Sequence, residues 1–163
     1  MKYRLIKSPA TLSLTLLFVF FFLRAATANQ PNIVFIIADD LTFRDVSCYG
    51  GTNVETPHID SIAEEGMRFT RCFQASAMCS PTRHNIYTGL YPVKSGAYPN
   101  STLAYDGTKS VVHYLGAAGY RVGLTGKRHV KPLEVFPFEY LDEESEPDLA
   151  AVEAFWKKDT NQP

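Results

Sequence analysis

The sequence is short of cysteine, of net charge and of long apolar runs, and each shortage excludes something. Cysteine occurs three times in 163 residues, as Cys48, Cys72 and Cys79. An odd count in an exported chain leaves at least one thiol unpaired, which excludes a fully paired disulfide framework. A Cys48–Cys72 bridge would leave Cys79 free; equally, all three thiols could be free with two of them merely buried. Lys and Arg number 16 against 17 Asp and Glu, a formal net charge of −1. That balance gives no electrostatic footprint for nucleic acid. The apolar stretch Leu12–Leu23 falls well short of the ~20 residues that a stable membrane span needs. There is no internal repeat and no low-complexity linker, and the length suits one modest domain.

What is present begins with that apolar stretch. Lys2, Arg4 and Lys7 precede it and Ala26-Thr27-Ala28 follows it. A basic start, an apolar centre and a small-residue cleavage site make a secretory signal peptide. Residues 1–28 are expected to direct export, to the periplasm or the medium (or to a lysosome in a eukaryote). No cysteine follows the cleavage site, so a lipoprotein anchor is not indicated. Residues 29–163 form the expected mature chain.

"NIVFIIADD", residues 32–40, is a continuous apolar run closed by two aspartates. It suits a strand buried on both faces of a parallel sheet, with Asp39 and Asp40 at the carboxyl edge where ligands of open sheets bind. "TPHIDSIAEEG" predicts a helix with Thr56 as cap, Pro57 as first residue and Gly66 as stop. "MRFTRCFQA" alternates as a strand. "CSPTRHNIYTG" predicts a helix with Ser80 as cap, Pro81 at the first position and Gly89 as stop, so that Cys79 sits just outside the helix start. "TKSVVHYLGAAG" repeats the helix pattern with Thr108 as cap, and "YRVGLTGK" is a strand leading to Lys127. The order β-α-β-α-α-β points to an α/β sandwich with a mainly parallel sheet. A short helix is expected within residues 147–158.

Three groups could carry chemistry. Two adjacent carboxylates repel unless neutralised, and a hard cation such as Ca²⁺ does this through oxygen ligands; Asp39-Asp40 could equally be a solvated turn. Cys79 near a helix start meets unpaired N–H groups that favour negative charge. A cysteine phosphatase loop places five residues between Cys and Arg, whereas three separate Cys79 from Arg83. "TGKRH" is not a phosphate-binding loop, because Arg121 stands where its first Gly belongs and Arg128 replaces Ser or Thr. Lys127 and His129 alternate along an extended segment, so a cation and a titratable imidazole can share one face and grip an oxyanion.

Together "NIVFIIADD", "TPHIDSIAEEGMRFT", "CSPTRHNIYTGLYP" and "GYRVGLTGKRH" resemble, in this order, the N-terminal part of a type I sulfatase, over roughly residues 32–140. The resemblance implies an alkaline-phosphatase-like α/β/α sandwich and a sulfuric ester hydrolase. It implies that Cys79, within Cys79-x-Pro81-x-Arg83, is oxidised to formylglycine by a separate formylglycine-generating enzyme. One hydroxyl of the aldehyde hydrate then attacks sulfur, and the other collapses to expel sulfate. By the same resemblance Asp39, Asp40 and the modified Cys79 are Ca²⁺ ligands. Arg83 holds the hydrate, Lys127 binds sulfate and His129 assists elimination. The implied substrate is a sulfated carbohydrate. "GKRHVKPLEVFPFEY" further resembles the sulfamidase branch, which cleaves N-linked sulfate from glucosamine.

Departures are also visible. Tyr87 replaces a usual aliphatic residue and Val122 a usual Ser or Thr. No later Asp-Asn or Asp-His metal pair and no convincing second His follow, since His113 lies in a predicted amphipathic helix. The sequence is therefore expected to be an incomplete, inactive portion of a sulfatase catalytic domain. The alternatives are a non-catalytic binding remnant of the fold, or a phosphatase or phosphodiesterase of the same superfamily. The latter use Ser or Thr with two zinc ions, which Cys79 argues against.

Overall fold

The computed structural model describes residues 30–142 and 146–158, so the expected signal peptide at 1–28 lies outside the described residues. Two compact units divide the chain, Met1–Ile33 and Val34–Pro163, and every element below belongs to the second. Helix α1, Pro57–Glu65, starts at proline and stops at Gly66, as the spacing predicts. The Thr56 hydroxyl does not cap it; it donates instead to Asp60 Oδ1 at 3.0 Å, a carboxylate that also accepts the Cys48 N–H at 2.8 Å. Helix α2, Cys79–Thr88, ends at Gly89, whose φ of 69° is the left-handed geometry that glycine adopts without penalty. Helix α3, Pro92–Ser95, is a single turn shortly after Gly89.

Helix α4 spans Val111–Ala117 and starts later than expected. The Thr108 hydroxyl is spent on the Tyr105 carbonyl at 2.7 Å. Ser110 caps in its place, in a reciprocal box with His113, whose Nδ1 accepts the Ser110 N–H at 3.2 Å. Helix α5, Leu149–Lys157, falls within the expected 147–158, and Asp148 Oδ1 caps it by accepting the N–H groups of Ala150 and Ala151.

The strands depart most from expectation. Strand β1 is only Gly123–Leu124 and pairs in parallel with β2, Glu139–Tyr140, Gly123 facing Glu139 and Leu124 facing Tyr140. The α/β class with parallel pairing holds, but among the described residues the sheet has two strands. Residues 32–38 form no strand. Val34, Phe35 and Ile36 are 64 %, 66 % and 80 % exposed rather than buried on both faces. Residues 67–75 likewise form no strand, and Phe69 and Phe73 are exposed. A buried central strand needs ladder partners on both sides, and neither segment has one among the described residues.

The core lies between α2 and the segment after β1. Tyr87, Ala104, Val130, Val135 and Phe136 form it, with Ile37, Val111, Leu124 and Phe138 packed against it. Phe136 is fully buried and meets the His84 ring edge-on, centroids 5.1 Å apart. Tyr87 fills the same core against Phe136 and Phe138. This packing fixes the first turn of α2 relative to residues 127–131, which is where the chemistry-bearing side chains converge.

Candidate active site

Helix α2 begins two residues before the sequence suggests. Met78 is its N-cap, in extended geometry and without a side-chain cap, and Cys79 is the first helical residue rather than one outside. Ser80 therefore does not cap. Its backbone N–H, one of the orphan donors of the first turn, donates to Asn100 Oδ1 at 3.2 Å, so a residue twenty positions on supplies the missing acceptor. The same oxygen lies 3.9 Å from Cys79 Sγ. Pro81 sits one residue further in, where its missing N–H still costs nothing. Cys48, Cys72 and Cys79 are all free thiols, and Cys79 is half-buried.

Arg83 lies one turn into α2 and is buried. Its Nη1 donates to the Lys127 carbonyl at 2.6 Å and its Nη2 to Asp39 Oδ1 at 3.3 Å. Lys127 Nζ donates to the other Asp39 oxygen, Oδ2. Residues separated by 44 positions on either side of Arg83 thus meet on one guanidinium. One carboxylate faces two cations, so the cluster carries excess positive charge. The Lys127 hydrogen bond, and then Arg83, hold the Asp39 carboxyl below its usual range against the opposing pull of burial. Asp39 in turn raises the Lys127 ammonium, and the nearby Cys79 sulfur adds to that rise.

Gly126 turns the chain after β1 with a φ of 76°. Its N–H donates to the Asp142 carboxylate at 3.1 Å, and an added Cβ would press on Pro147 at 3.3 Å. His129 has a φ of 47°, so residues 127–129 are not extended and the expected same-face alternation fails. The two side chains nevertheless share one electrostatic neighbourhood. Burial first, then the charges of Lys127 and Arg83, push the His129 imidazole below its ordinary value. Its Nε2 lies 3.2 Å from Ser101 Oγ, while its buried Nδ1 has no hydrogen-bond partner among the described residues.

Asp40 is exposed, with a left-handed φ of 54°. Among the described residues no three His, Cys, Asp or Glu gather around one point. The expected ligand set of Asp39, Asp40 and Cys79 is therefore not assembled. Its donor types suit a hard cation, but both Asp39 oxygens are engaged by Lys127 and Arg83. A cation on Asp39 would have to compete with those two side chains.

Three residues at the site carry no sequence signal of their role. Asn100 and Ser101 lie in what reads as a connecting loop. His84 reads as part of the helix, yet it is fully buried. Its Nδ1 donates to the Ser80 carbonyl at 2.8 Å, and its Nε2 accepts the Lys131 N–H at 3.2 Å. It ties the first turn of α2 to the segment that carries Lys127 and His129.

Residues 31–154 match the family model described as Sulfatase. The chain is 42 % identical over 115 residues to an ulvan-active sulfatase of Formosa agariphila, covering 71 % of this chain and 23 % of that protein. It is 43 % identical over 108 residues to an N-acetylgalactosamine-6-O-sulfatase of Bacteroides thetaiotaomicron, covering 63 % of this chain and 21 % of that one. A solved structure described as a complex with its substrate D-glucosamine-2-N,6-O-disulfate superposes with a TM-score of 0.64 at 33 % identity, over 72 % of this chain and 24 % of that one. The chain thus spans about a quarter or less of the length of these relatives.

Proposed function

The chain belongs to the sulfatase family, and from that premise we propose that it acts in removing sulfate from a sulfated carbohydrate, with Cys79 as the precursor of formylglycine. The observation that carries this is the junction of Arg83, Asp39 and Lys127 beside the start of α2. The excess positive charge of Arg83 and Lys127 over Asp39 suits the single negative charge of a tetrahedral sulfate ester. Lys127 neutralises developing charge on sulfate oxygens, Arg83 holds the modified side chain of Cys79, and Asp39 fixes the Lys127 ammonium in place. His129, kept neutral by burial and by neighbouring cations, accepts a proton at the modified side chain of Cys79. Modified Cys79 supplies the nucleophilic hydroxyl.

A Ca²⁺ ion taking Asp39 and Asp40 as two of its oxygen ligands would have to displace Lys127 and Arg83 from Asp39, and its charge would then polarise the sulfate. A formylglycine-generating enzyme would be the partner that acts on Cys79. Export by residues 1–28 would carry the protein to the periplasm or the medium; among the described residues no helix is long and apolar enough to cross a membrane. The names of the relatives, active on ulvan and on sulfated amino sugars, support a glycan substrate.

In the protein with Cys79 converted to formylglycine, Lys127→Ala and His129→Ala each lower turnover of a sulfated sugar by ~10²-fold or more, the scale of lost charge stabilisation or proton transfer. Full activity in His129→Ala would remove that residue from the mechanism. Parallel assays on N-sulfated and O-sulfated glucosamine assign the bond cleaved, and cleavage of the N-sulfate alone would place the protein in the sulfamidase branch.

A further inference from the structure

We propose that Ser101 is a positioning residue for His129, holding the imidazole so that Nδ1 is the unprotonated nitrogen. Ser101 Oγ lies 3.2 Å from His129 Nε2, and Nδ1 is buried without a partner among the described residues. A neutral imidazole carries one proton, and two arrangements are open. With the proton on Nδ1, a buried N–H would be orphaned, which native structures avoid. With the proton on Nε2, the N–H donates to Ser101 Oγ, and the unpartnered buried atom is only a lone pair. The second arrangement costs less and leaves Nδ1 as an acceptor.

The segment that carries Ser101 is itself held at the site. Asn100 Oδ1 accepts the Ser80 N–H and lies beside Cys79 Sγ. The Thr102 hydroxyl donates to the Pro99 carbonyl at 2.6 Å. Ser101 has a φ of 62° and His129 a φ of 47°, so both backbones adopt the left-handed geometry that brings the two side chains together. Asn100 and Ser101 thus reach the two ends of the proposed machinery, the precursor Cys79 and the proton acceptor His129. That the free Nδ1 takes a proton in catalysis rests on the sulfatase function proposed above; the hydrogen bond and the tautomer do not.

The test is nuclear magnetic resonance of the full chain labelled with ¹⁵N-histidine, at a dilution where it stays dispersed. Two-bond proton–nitrogen correlations report each tautomer, and His129→Gln assigns the signal. The parent protein is expected to show His129 with its proton on Nε2. Ser101→Gly suits the left-handed backbone and removes the hydroxyl, so the tautomer balance shifts toward a proton on Nδ1 while the circular dichroism is unchanged. Ser101→Ala serves in its place if the glycine variant does not fold. A proton on Nδ1 in the parent, or a tautomer balance unchanged by loss of the hydroxyl, would overturn the proposal. Neither outcome depends on turnover, so failure of the sulfatase function, read from the mass of the Cys79 peptide, is told apart from failure of the positioning role.

Discussion

A carboxylate shared by two cations is a small charge network, and solvent access sets its strength. Arg83 is 6 % exposed, but Asp39 and Lys127 are 34 % and 33 % exposed, so screening cuts the energy of the pair. Asp39→Asn is expected to lower stability by about 1 kcal/mol, the upper end for partly exposed pairs, because Arg83 keeps its bond to the Lys127 carbonyl. Urea unfolding measures this, and an unchanged midpoint would show that the network is not stabilising. His129 sets a pH dependence of definite sign. Its folded-state affinity for protons is lowered by burial and by neighbouring cations, so the unfolded chain binds more protons as pH falls below the ordinary imidazole value of about 6.5. Stability is expected to fall with acidification through that window, and His129→Gln should flatten the slope. Asp39 adds a loss of the same sign only at lower pH, where its own carboxylate protonates. At this scale Cys79, Arg83, Lys127 and His129 were legible as a motif. Asn100, Ser101 and His84 were not, because their partners are backbone groups and side chains brought close only by the fold.

Helix α2 depends on a crosslink that spacing alone does not reveal. His84 joins the Ser80 carbonyl to the Lys131 N–H, across the Phe136 ring. His84→Phe keeps the bulk but removes the bridge between the buried Ser80 carbonyl and the part-buried Lys131 N–H, at a cost of about 2 kcal/mol. Thermal unfolding checks this, and a Tm equal to the parent's would mean that the Lys131 N–H finds another acceptor. Helices were legible where proline, a capping residue and glycine punctuate them, as at Pro57–Glu65. Their starts slipped at Cys79 and Val111 because other groups replaced the expected caps: Asn100, brought close by the fold, in one case, and the local Ser110–His113 capping box in the other. Strands were legible only as apolar runs. A strand is completed by its neighbours, so residues 32–38 could be apolar and yet unpaired.

Over the whole described chain, family membership was carried by four spaced blocks, while the extent of the sheet was not. The apolar surface left by the unpaired runs, with Phe35, Ile36, Phe69 and Phe73 exposed, is a ready site for self-association. The 163-residue chain is expected to bind a hydrophobic dye and to associate with rising concentration; Phe35→Asp with Phe73→Asp should reduce both, and light scattering reads the result. Calcium should bind it weakly, since Asp39 and Asp40 meet few of the six to eight oxygens such an ion takes. Micromolar binding by calorimetry would contradict the donor count.

The central claim, that Cys79 is the modified nucleophile of a sulfatase, is tested most directly by the mass of its peptide. After coexpression with a formylglycine-generating enzyme, the Cys79 peptide should be about 18 Da lighter than the thiol form, the loss for oxidation of that thiol carbon to an aldehyde rather than along the usual sulfur ladder. Arg83→Ala should sharply reduce the converted fraction. A peptide found only as thiol or disulfide in the presence of active modifying enzyme would contradict the assignment of Cys79.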